Sequence, residues 1–160
     1  MNDPRSPATA TQVRAQYALQ SKIAAAMKTA WDAYQEVAAA RAPLANDSSA
    51  KTLDSTLAAV GGDPNGGRGG FFGFRPGGPP PPTFVGISET LRGLFNAVET
   101  GDIAPTQGME AAYAAACKDL AKAATTFNGV VAQHQLKQPP VTAPSCEAVV
   151  PRARARPRAR

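Results

Sequence analysis

The chain is poor in the residues that build catalytic centres and thick cores. It has one histidine, two cysteines and one tryptophan. Leu, Ile, Val and Phe together number 27 of its 160 residues, so most of the apolar content is alanine, which buries little area per residue. That predicts a thin core and marginal stability in isolation. Two cysteines without a CxxC pair and a lone histidine exclude a zinc site. Cys117 falls in a helical pattern and Cys146 in a proline-flanked tail; two free thiols are the expected state, and a disulfide stays open. No run approaches the roughly 18 apolar residues that would span a bilayer. The polar N-terminus has no apolar core of a signal peptide, so the chain as written is expected in the cytoplasm.

Charge of one sign is also missing from most of the chain. The net charge of +5 comes from the last ten residues, "PRARARPRAR", with five Arg and no acid. Residues 1–150 carry 12 basic and 12 acidic residues. A basic face over the whole domain, as nucleic-acid binders present, is therefore excluded.

What is present is helical. Ser6-Pro7 reads as a helix start, a side-chain cap followed by a residue preset for the first turn. Nothing then breaks a helix before Pro43. Val13, Tyr17, Ala24, Met27, Trp31, Tyr34 and Ala38 recur at three- and four-residue steps, and Leu19, Ile23, Ala30 and Val37 widen that stripe. Tyr17, Trp31, Tyr34 and Tyr113 are expected as core anchors rather than a cofactor box. A short second helix follows Asn46 to Ser49, with Leu53, Leu57 and Val60 on one face and Gly61-Gly62 as its stop. Phe84, Ile87, Leu91, Leu94, Phe95 and Val98 mark a third helix. Pro105 and Thr106 open a fourth, carried by Met109, Tyr113, Ala116, Leu120, Phe127, Val130 and Val131 to about Gln138.

The expectation is an all-α chain: two antiparallel helical hairpins, residues 1–60 and 84–138, forming a small three- or four-helix bundle. Between them, residues 61–83 form a Gly/Pro-rich loop expected to be disordered. Its stretch "GGDPNGGRGGFFGFRPGGPPPP" holds nine Gly and six Pro. Phe71, Phe72 and Phe74 in this loop are either anchors for a partner surface or loosely packed on the parent helices. No strand precedes the loop and no helix N-terminus directly follows it, which excludes a phosphate-binding turn. Residues 139–160 are expected to be a disordered tail, Arg-rich over 151–160.

No catalytic set is found. His134 sits on the stripe of the fourth helix as a core or boundary residue, without a partner group for acid–base work. Glu99 and Asp102 belong to a helix end and a turn. Cys117 has no base nearby that would activate it. No catalytic, cofactor or metal residue is therefore assigned, and no cofactor is expected. In the tail, Arg152, Arg154, Arg156, Arg158 and Arg160 would bind polyanions at low salt. The tail is either a true nucleic-acid or acidic-membrane tether or the product of a shifted reading frame.

Two blocks carry a resemblance. One is "NDPRSPATATQVRAQYALQSKI", with Asp-Pro-Arg at positions 3–5 before a long Gln- and Ala-rich helix. The other is "LRGLFNAVETGDIAPTQGMEAAY". Over roughly residues 2–138 the chain resembles the C-terminal helical region of bacterial BNR/Asp-box β-propeller proteins, sialidase-like and sortilin-like, often labelled glycosyl hydrolases. The family's Asp-box signature S-x-D-x-G-x-x-W and its blade strands are absent from this sequence, so no sugar-site residue is carried over. The resemblance implies a non-enzymatic appendage whose partner is a β-propeller domain or another protein. It also implies a Met1 internal to a longer family member, and a parent that is typically exported. Two other readings stand beside it: a free-standing nucleic-acid-binding protein using the Arg tail, and a piece of a glycosyl hydrolase labelled by inheritance.

Overall fold

The structure is a computed structural model, and it describes residues 9–64, 81–100 and 104–146. Four α-helices pack together and no strand occurs among these residues: α1 (Ala10–Arg41), α2 (Lys51–Gly61), α3 (Phe84–Glu99) and α4 (Gln107–Gln133). The all-α bundle expected from the sequence is the fold, with four helices rather than three.

Each long helix begins at a threonine. Thr9 caps α1 in a reciprocal box: its hydroxyl accepts from the Gln12 N–H at 3.3 Å, and the Gln12 side chain accepts from the Thr9 N–H at 2.7 Å. The start therefore lies three residues beyond the expected Ser6. Thr83 accepts from the Gly86 N–H at 3.1 Å and Thr106 from the Met109 N–H at 3.2 Å, so α3 and α4 open as the sequence indicates. At 32 residues α1 is about 48 Å long. Pro43 ends it in a short 3-10 turn, Ala42–Leu44, and a second such turn, Ser48–Ala50, leads into α2.

The two glycines that stop α2 have separate jobs. A Cβ on Gly61 would lie 2.8 Å from Val37 Cγ1, so the missing side chain lets α2 close on α1. Gly62 has φ 81°, a left-handed conformation that favours glycine. Arg41 clamps the other end of α2: its Nε donates to Asp54 Oδ1 at 2.7 Å and its Nη2 to Oδ2 at 3.2 Å.

α3 runs back along α1. Gln16 Nε2 donates to the Val98 carbonyl at 2.6 Å near one end, while Gly62, at the end of α2, faces Thr83 and Val85 at the other. α4 returns beside α3, with Phe84 and Phe127 edge to face at 6.1 Å. Leu19, Ile23, Leu57, Phe84, Leu91, Tyr113, Leu120 and Phe127 are shut off from solvent at the centre.

The face that α1 buries departs from the expectation. Its buried residues are Leu19, Ile23, Ala26, Ala30, Ala33, Val37 and Ala40. The stripe expected as primary is largely outside: Tyr17 is 72% exposed, Trp31 47% and Val13 43%. Both sets repeat every 3.5 residues, one position apart, which is about 100° around the helix. The inner set wins because four of its seven side chains are alanine, and α3 and α4 can approach an alanine surface closely. Only Tyr113 among the four expected aromatic anchors is fully buried.

Two further expectations change at the end of α4. The helix stops at Gln133, not near Gln138. Gln135 takes φ 51°, its N–H donating to the Ala132 carbonyl at 3.4 Å, and the Leu136 N–H donates to the Val131 carbonyl at 3.0 Å. This is a Schellman stop with glutamine in the glycine position. Residues 139–146, expected as part of a disordered tail, instead run back along α4. Asn128 holds them with both atoms of its amide: Nδ2 donates to the Val141 carbonyl at 2.9 Å and Oδ1 accepts from the Val141 N–H at 2.8 Å.

Candidate functional site

Among the described residues the surface offers one marked apolar seam and one closed strap. The seam is the outer stripe of α1: Val13, Tyr17, Ala24, Met27, Trp31, Tyr34 and Ala38. The helix displays it because its inner stripe already supplies the contacts to α3 and α4. Trp31 and Tyr34 lie 5.2 Å apart between ring centroids, tilted by 35°. Beside them, Ala24, Met27, Lys28, Trp31, Ser88 and Phe95 line a shallow groove of about 400 Å³ between α1 and α3. Lys28 forms an ion pair with Asp32 on the same helix, one turn on. Both partners are exposed, so the pair adds little to stability. It leaves the groove floor apolar and its rim charged, as docking surfaces are built.

The strap is fixed at three points. Beyond the Asn128 clamp, Tyr113 Oη donates to the Ser145 carbonyl at 3.3 Å. Cys146 then closes a disulfide with Cys117, Cα atoms 5.5 Å apart. The expected pair of free thiols is thereby corrected: no described cysteine is free. The strap brings Cys146 back over the first half of α4, where the buried Cys117 meets it. Val141, Ala143 and Cys146 pack against the core along the way. Burial raises the pKa of the Tyr113 phenol above its ordinary value, so it stays a donor to the strap.

Of the residues singled out in the sequence, His134 is neither core nor boundary. It is exposed and caps α4, its N–H donating to the Val130 carbonyl at 3.0 Å. Glu99 is exposed at the end of α3. Asp102, the Phe71, Phe72 and Phe74 anchors, and Arg152, Arg154, Arg156, Arg158 and Arg160 lie outside the described residues. Among the described residues, no group of three or more His, Cys, Asp or Glu side chains is placed to hold a metal ion. Among the described residues no helix is long and apolar enough to cross a membrane.

Sequence reasoning had the residues of the outer seam but put them inside. It missed the strap altogether. The signal was there in Asn128, a polar residue beside a helical stripe, followed by a proline-rich segment able to lie extended.

Comparison with family models, with curated proteins and with solved structures finds no match to this chain.

Proposed function

We propose that this chain is a non-catalytic helical appendage, an interaction module like the C-terminal end of an exported BNR/Asp-box propeller protein, and that α1 carries its contact surface. The observation that supports the reading is the outer seam. A chain with only ten Phe, Trp and Tyr residues could ill spare large rings to solvent, yet Tyr17 and Trp31 face outward. Trp and Tyr are the residues that dominate protein–protein contacts when buried. The partner is a β-propeller domain or a like protein surface. The Cys117–Cys146 bridge supports an oxidising compartment, because structural disulfides persist in exported proteins and are rare in the cytosol.

Trp31 is the one tryptophan of the sequence and so reports on its own surroundings. The test adds the propeller encoded in the flanking DNA to the full chain and follows Trp31 emission and co-sedimentation. Docking shifts the emission to shorter wavelength, and the double variant Tyr17→Ser/Trp31→Ser loses co-sedimentation while keeping its helical circular dichroism. Unchanged emission with separate sedimentation, or flanking DNA that encodes no propeller, overturns the reading.

A further inference from the structure

We infer that the segment after α4 is a redox-keyed strap: closing the Cys117–Cys146 bridge covers the Tyr113 and Cys117 face of α4, and opening it bares that face while the bundle stays folded. The strap is held unequally along its length. Its near end is fixed by the Schellman stop at Gln135 and by the two-bond Asn128 clamp on Val141. Beyond Val141, among the described residues, the ties are the bridge, one long hydrogen bond from Tyr113 Oη to the Ser145 carbonyl at 3.3 Å, and the partial packing of Ala143 and Cys146 on the core. An extended segment with so few bonds does not offset the backbone freedom it gives up. The bridge holds it by closing the chain covalently.

The bundle does not depend on the strap in the same way. The buried core from Leu19 to Phe127 is built from α1, α2, α3 and α4, and the strap's Val141, Ala143 and Cys146 pack on it only as partly buried residues. Asn128 is the hinge: residues up to Val141 stay on α4, and residues 142–146 leave.

The two sulfurs are also unequal. Cys117 is completely buried on α4, whereas Cys146 is only partly buried on the strap. A dithiol reductant enters at Cys146. Its first sulfur forms a mixed disulfide with Cys146 Sγ, and Cys117 leaves as a thiolate that takes a proton from water. The second sulfur of the reductant then displaces Cys146, which is protonated in turn. The reductant departs as a cyclic disulfide, and the protein gains two electrons and two protons. A buried thiolate is a poor leaving group, so the first step is slow and the closed state persists once formed.

The experiment uses the full chain, dithiothreitol as the reductant and iodoacetamide as the probe, with peptide mass spectrometry reading each cysteine and far-UV circular dichroism reading the helices. In the reduced, folded protein Cys117 is expected to alkylate within tenfold of Cys146, and the thiol of Cys146→Ser to react at that same rate. Asn128→Ala raises the Cys117 rate no further, since the strap beyond Val141 has already left. If Cys117 stays a hundredfold slower than Cys146, the strap is held without the bridge and the inference fails. It fails equally if reduction or Cys146→Ser abolishes the helical signal, or if the untreated protein shows two alkylatable thiols.

Discussion

The bridge sets a measurable quantity. Cys117 and Cys146 are 29 residues apart, and closing a loop of that length removes unfolded-state entropy equivalent to about 3.6 kcal/mol at 25 °C. That value is the ceiling if the reduced protein keeps its strap in place. A strap that swings off on reduction returns backbone freedom to the folded state, and the loss then falls to about 2–3 kcal/mol. Against a stability of about 5–15 kcal/mol for a domain, either loss is large. The assay is urea unfolding of the full chain with and without dithiothreitol, followed by circular dichroism. The midpoint should fall by about 1–2 M at a slope near 2 kcal/mol/M. The slope itself should rise on reduction, because the unfolded chain is no longer held compact by a 29-residue crosslink. A loss above about 5 kcal/mol would refute the loop-entropy argument and make the sulfurs part of the bundle's packing. No loss at all would mean that the bridge constrains nothing the unfolded chain explores.

Three other substitutions separate local effects. Gly61→Ala gains helix propensity but drives a Cβ to 2.8 Å from the buried Val37; the clash wins, and thermal unfolding should show a loss of about 1–2 kcal/mol. Gln135→Gly relieves the left-handed residue at the α4 stop, φ 51°, and should raise stability by about 0.5–1 kcal/mol in the same assay. The Arg41 guanidinium holds the Asp54 carboxyl below its ordinary value of 3.8 through a side-chain hydrogen bond. A lowered folded pKa contributes stability that is fully present above 3.8 and is lost as pH falls through the folded value. Acid unfolding curves of wild type and Asp54→Asn should therefore stay separated above pH 3.8, with the variant lower, and converge only as pH falls through the folded value below 3.8.

Much of the helical plan was legible in the residues, and the reasons are local. Thr106 and the Gly61-Gly62 pair mark helix ends because caps and left-handed stops act through one or two side chains. The α4 stop was not legible, since the position that glycine usually fills holds Gln135. Nor was the Cys117–Cys146 pairing. A bridge 29 residues long depends on where the strap lies, and the strap depends on Asn128, whose amide meets Val141 only in the folded chain. The candidate surface was half legible: its residues stood out, and its direction did not.

That direction carries the functional argument. By transfer energy alone the Tyr17 and Trp31 stripe should turn inward, because aromatic rings bury the most area. Closeness decides otherwise: α1 meets α2, α3 and α4 along one side, and an alanine seam is what lets three helices approach it. The rings are left with 72% and 47% of their surfaces in water. At roughly 200 Å² per ring and about 25 cal/mol per Å², covering them releases on the order of 6 kcal/mol. Joining two separate bodies costs an estimated 4–15 kcal/mol. The two quantities are of one order, so the seam supports a reversible contact rather than a permanent one, and the rings at 17 and 31 are its main contributors. Removing both should abolish the contact while leaving the bundle within about 0.5 kcal/mol of its original stability, since neither ring is part of the buried core.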